Sequence, residues 1–131
     1  PPPPPPPAPP PAVDSPSAER REAEARAAIQ GVLAAYASAI EARDVEAIRR
    51  VYPTLSAAQE RDWQIFFRSV RSVSVSLNLT RLAIEGATAE ARVSGSYRFE
   101  NTTTRRTETQ PVEFQATLRR DGRGWQLSQI R

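Results

Sequence analysis

The chain has 131 residues, a net charge of +3 and thirteen prolines, and it contains no histidine, cysteine or methionine. Imidazole base catalysis, thiol nucleophiles and disulfides are therefore excluded, and neither a metal site nor a cofactor is expected. All 18 basic residues are arginine, interleaved with acids as in Glu19-Arg-Arg-Glu-Ala-Glu-Ala-Arg26, which reads as a mixed solvated surface rather than a nucleic-acid-binding face.

Ten of the first eleven residues are proline. Proline fixes φ and removes the amide donor, so this tract favours polyproline II and would span roughly 34 Å. Residues 1–17 read as a proline-rich disordered linker, a semi-rigid spacer rather than a ligand for a proline-binding module. Residues 18–131 read as one folded domain, large enough for a core of its own. The missing initiator Met points to a piece of something longer, or to processing. No transmembrane segment or signal peptide is legible, so a membrane link would need an anchor upstream of Pro1. An upstream transmembrane helix would make the domain extracytoplasmic, and its absence would leave it cytoplasmic.

Residues 18–42 predict a long helix with Ile29, Val32, Leu33, Tyr36 and Ile40 on one stripe. Gly31 weakens it slightly and reads as a position for close packing. Asp44 is a good N-cap for a short second helix with Val45, Ile48, Val51 and Tyr52 inward, stopped by Pro53. Ser56-Ala-Ala-Gln59 is a capping box that starts a third helix, with Trp63, Phe66, Phe67 and Val70 at amphipathic spacing. At Ser72 the period becomes two. Val73, Val75, Leu77 and Leu79 line one face of a strand, and Leu82 and Ile84 form a short strand of their own. After the Glu85-Gly86 turn, Ala89, Ala91, Val93, Gly95, Tyr97 and Phe99 share one face of a long strand, with Gly95 a candidate bulge or bend. A polar loop from Asn101 to Thr107 leads to a strand carrying Val112, Phe114, Ala116 and Leu118. A tight turn at Asp121-Gly122-Arg-Gly124 precedes a last strand with Trp125, Leu127 and Ile130, whose spacing predicts a bulge or a strand end.

Three helices followed by antiparallel strands predict an α+β fold, with the helices in the concave face of a curved sheet. Three stretches carry a closer likeness: Tyr36-Ala-Ser-Ala-Ile40, Glu41-Ala-Arg-Asp44-Val-Glu-Ala-Ile48, and Phe114-Gln-Ala-Thr-Leu118 with Gly124-Trp125-Gln-Leu127. Through them, residues 22–131 resemble the nuclear transport factor 2-like superfamily, which includes the SnoaL-like and ketosteroid-isomerase-like domains. The Val51-Tyr-Pro-Thr-Leu-Ser56 segment resembles domains at the C-terminal end of bacterial multidomain proteins, some serine/threonine kinases among them.

The resemblance implies a cone that can hold a small apolar ligand, with Tyr36, Tyr52, Trp63, Phe67 and Tyr97 as pocket-lining candidates. It places Tyr36 where the ketosteroid-isomerase-like enzymes have an oxyanion donor. A phenol can donate to developing enolate charge, but a carboxylate base is also required, and Glu90, Glu100 and Glu113 fall on the opposite phase of their strands. The first reading is accordingly a non-catalytic accessory domain, for ligand sensing or protein interaction. The alternative is a small-molecule isomerase or dehydratase using Tyr36. Such sheets can pair into a homodimer, with Arg92, Arg98, Gln115 and Thr117 as the interface candidates. No nucleic-acid partner is expected, because the aromatics fall on buried phases.

Overall fold

The computed structural model describes residues 15–131, with side chains from Ala18 onward. The proline tract read as a spacer lies outside the described residues up to Asp14. Helix α1 spans Ser15–Glu41, so it begins three residues before the expected start of the domain. It is about 40 Å long at 1.5 Å per residue. Only its second half is packed: Ile29, Leu33, Tyr36, Ala39 and Ile40 are buried, while Ala27, Ala28, Gly31, Ala34 and Ala35 face solvent. Gly31 does not serve close packing, because a Cβ there would meet nothing within 4 Å.

The end of α1 is built by backbone bonds. The Arg43 amide donates to the Ile40 carbonyl and the Asp44 amide to the Ala39 carbonyl, with Arg43 at φ 54°. This is a Schellman ending, in which glycine usually takes the left-handed residue. Arginine stands there instead, and its guanidinium reaches the Val70 carbonyl at 3.1 Å. Asp44 then caps helix α2, Val45–Val51, by accepting from the Glu46 and Ala47 amides. Helix α3, Ala57–Ser69, carries the full Ser56/Gln59 capping box. It passes straight into strand β1 at Val70, where the backbone turns extended (φ −121°, ψ 144°), two residues before the sequence pattern changes period.

Four antiparallel strands follow in the spatial order β1-β2-β3-β4. Strand β1 is Val70–Glu85, β2 Thr88–Asn101, β3 Thr107–Asp121 and β4 Gly124–Ile130. The two strands expected between Val73 and Ile84 are one. A register shift between Leu79 and Arg81 leaves Thr80 as an extra residue, and this bulge moves the inward phase from odd to even residues, so that Leu82 and Ile84 follow Leu79 onto the same face. Another shift, at Ser128, does the same between Leu127 and Ile130, as their spacing predicted. The Ser128 carbonyl accepts from the Thr54 hydroxyl at 2.5 Å, which ties the segment after α2 to the last strand.

Gly95 is a bend rather than a bulge. Its pairing with Leu77 and Val112 is unbroken, yet a Cβ there would lie 1.8 Å from the Ser76 carbonyl oxygen. Only a residue without a side chain lets the two backbones come this close. The helices cover the concave side, with α1 against β1 and β4, α3 against β1, and α2 joining the other two. Ile29, Ile40, Ile48, Val93, Leu118 and Leu127 form the fully buried centre.

Candidate functional site

Around Gly95 and beyond it, aromatic side chains from four elements meet. α1 supplies Tyr36, α3 supplies Trp63, Phe66 and Phe67, β2 supplies Tyr97 and Phe99, and β3 supplies Phe114. The Trp63 ring is the hub: its centroid lies 5.5 Å from Phe67, 6.0 Å from Phe66, 6.2 Å from Tyr36 and 6.4 Å from Tyr97. Phe114 stacks on Tyr36 at 6.5 Å, and Phe99 meets Phe66 edge-on at 5.4 Å. Offset and edge-to-face pairs of this kind each add about 0.5–1.5 kcal/mol beyond buried area.

Four of the five pocket-lining candidates, Tyr36, Trp63, Phe67 and Tyr97, are thus in one cluster. Tyr52 is buried at the end of α2, near enough for its phenol to bear on that of Tyr36. Phe66, Phe99 and Phe114 complete the cluster; the sequence marks them as inward residues but not as pocket-lining candidates. Their signal was present in strand phase and helical spacing, but those patterns mark any inward residue, whether packed or lining a site.

The electrostatics of the cluster are those of uncharged donors. Burial pushes the Tyr36 phenol far above its ordinary value, and the neighbouring Tyr97 and Tyr52 phenols push it further in the same direction. Burial also raises Tyr97. Both hydroxyls stay protonated at any physiological pH. No carboxylate is among the groups acting on Tyr36. Among the described residues, no cluster of acidic side chains could hold a metal ion. The phenols can donate hydrogen bonds to an acceptor, but the rings pack on one another, and Tyr36, Tyr52, Trp63, Phe67 and Tyr97 line neither of the two large grooves described below.

The interface candidates lie on the opposite face of the sheet, and three of them bond to acidic neighbours there. Arg92 pairs with Glu113 at 3.1 Å, both well exposed. Gln115 and Thr117 each donate to the Glu90 carboxylate at 2.9 Å, and these two bonds, Gln115 first, hold that carboxyl below its ordinary value. Arg98 is exposed further along β2, opposite Thr109. Two open grooves lie away from the aromatic cluster. One of about 580 Å³ runs between α1 and the outer edge of β1. The other, of about 400 Å³, lies by Pro53, Thr54 and the β3–β4 hairpin.

No protein-family model and no curated protein matches the sequence. Solved structures do match. The chain superposes on a single-residue variant of Rv3472, a protein of unknown function from Mycobacterium tuberculosis, with a TM-score of 0.73 and 16% identity, over 87% of this chain and 73% of that one. It is similar to a candidate dehydratase of the NTF2-like family from Streptomyces avermitilis, with a TM-score of 0.69 and 14% identity, over 82% and 93%. It is also similar to a candidate calcium/calmodulin-dependent protein kinase type II association domain from Thiobacillus denitrificans, with a TM-score of 0.60 and 16% identity, over 77% and 90%. The chain has the nuclear transport factor 2-like fold, three helices on a curved four-stranded antiparallel sheet. At these identities the likeness is one of fold, which hosts many unrelated functions.

Proposed function

We propose that this domain is a non-catalytic accessory module, for ligand sensing or protein interaction, held by its proline-rich segment to a larger bacterial protein. One observation carries the reading: the rings of Trp63 and Phe114 pack directly on Tyr36, and the polar groups acting on Tyr36 are phenols, with no carboxylate among them. A ligand suited to this environment is small and apolar, with one acceptor such as a carbonyl for Tyr36 or Tyr97. The similarity to a candidate kinase association domain is compatible with an accessory role.

The second reading, an isomerase or dehydratase with Tyr36 as oxyanion donor, draws on the permanently protonated Tyr36 hydroxyl and on the candidate dehydratase of the same fold. A screen of small ketones and enones by Trp63 fluorescence separates the two readings. The accessory reading expects a binder that is recovered unchanged. Tyr36→Phe should weaken it by about tenfold, the worth of one hydrogen bond at roughly 1.4 kcal/mol. Turnover of a bound compound that is lost in Tyr36→Phe would overturn it in favour of the enzyme.

A further inference from the structure

In a chain that is 25% charged, no charged residue occurs from Ala27 to Ile40 of α1 or from Ser72 to Thr80 of β1. These stretches line the two sides of the 580 Å³ groove, through Gln30, Ala34 and Ala37 on the helix and Val75 to Leu79 on the strand. Loss of charge, not bulk hydrophobicity, is what marks the centre of a protein interface.

The strand side of this groove is an open sheet edge. β1 is the outermost strand, and the Val75 amide donates away from the sheet to the Glu41 carboxylate at 3.1 Å. In an antiparallel ladder the amide and carbonyl of one residue point the same way and alternate along the strand. Leu77 and Leu79 therefore aim their amides and carbonyls into the groove beside Val75. The other open stretch of edge, on β3 before β4 begins to pair at Gln115, carries Pro111. Proline is a common guard against added strands, and β1 has none.

We propose that this edge is a self-association surface, on which a second copy of the chain adds its own β1 in antiparallel fashion about a two-fold axis at Asn78. This register pairs Leu77 with Leu79 of the second copy, and the reverse, using the amides that point outward. It sets Ser76 against Thr80, where the bulge ends the ladder. The Val75 amide keeps its bond to Glu41, so the pairing uses only the Leu77 and Leu79 amides, ends at the Thr80 bulge, and opposes no like charges within that stretch. Centring the axis on Ser76 instead would set Arg71 against Arg81 and require Glu41 to leave the Val75 amide, both unfavourable. On the helix side, the short side chains of Ala34 and Ala37 leave room for the two α1 helices to approach beside the axis. This surface is distinct from the outer sheet face of Arg92, and the proposal does not rest on the ligand reading.

Sedimentation velocity on the 131-residue chain, from micromolar to millimolar concentration, tests it. A reversible monomer–dimer equilibrium is expected, with slower hydrogen exchange at the Leu77 and Leu79 amides as concentration rises. Ala34→Arg and Asn78→Asp, both at exposed positions, should each raise the dissociation constant at least about tenfold while circular dichroism stays unchanged. Should Ala34→Arg fail to fold, Asn78→Asp decides alone. Arg92→Glu should leave the equilibrium as it was. The proposal is overturned by a chain that remains monomeric, by a dimer indifferent to Asn78→Asp, or by one that Arg92→Glu dissociates. A monomer whose Leu77 and Leu79 amides are protected only by an added extended peptide would also overturn it, assigning the edge to another protein.

Discussion

Strand β2 passes through both ends of the cone, and its inner residues differ between them. Before Gly95 they are Ala89, Ala91 and Val93, all at most 2% exposed; after it they are Tyr97 and Phe99, both only half-buried. The closed end is where β4 pairs with β3 and where Leu118 and Leu127 are buried. Small residues suit it because four strands and two helices leave little room. The open end has three strands under α3, and large rings fill the wider space. The closed end is fully buried core, and the open end is built from larger rings that are only partly covered.

Substitutions should divide along that line. The largest effect belongs to the closed end. Leu118→Ala, at a position with no exposure, should cost about 2–5 kcal/mol in urea unfolding through lost burial and a cavity. Gly95→Ala comes next, since its Cβ would strike the Ser76 backbone rather than a side chain able to move. It should cost about 1–3 kcal/mol, and because the bend joins the two ends, near-ultraviolet circular dichroism from the aromatic cluster should change with it. At the open end, Phe99→Ala should cost only about 1–2 kcal/mol for its half-buried ring. If it matched Leu118→Ala, the open end would be core of the same kind and the division would be wrong.

The smallest effect is on the outer face of the closed end, at Glu90. Its carboxyl is held below its ordinary value by Gln115 and then Thr117. Its contribution to stability is therefore complete above the ordinary carboxylate value and fades as pH falls through the lowered one. Being exposed, it is small. A nuclear magnetic resonance titration should place Glu90 low in the parent chain, with Gln115→Leu moving it back up. An unmoved titration would mean that the hydrogen bonds do not persist in solution.

Much of this was legible along the chain because the signals are local. Asp44 and the Ser56/Gln59 box cap their helices from adjacent residues, and the Leu127–Ile130 spacing announces its bulge within that short stretch. The features missed depend on partners distant in sequence. Leu79 and Leu82 looked like the ends of two strands because a phase change reads as a break; only pairing with the continuous β2 shows one strand with Thr80 bulged out. The strand expected around Val112 begins at Thr107, because Glu100 and Phe99 across the ladder draw polar residues into it. Gly31 and Gly95 look alike in sequence, yet one faces solvent and the other lies against a neighbouring backbone.

For the site the boundary is sharper. The absence of histidine and cysteine, the inward phase of every aromatic, and the order of helices before strands are properties of the sequence itself, and they limited both the chemistry and the fold. Which aromatics meet, how far burial raises the Tyr36 phenol, and that the β1 edge lies open beside an uncharged stretch of α1 were decided by the tertiary structure. Periodicity assigns a residue to a face of its own element. What stands opposite that face depends on how the elements pack, and no local pattern encodes it.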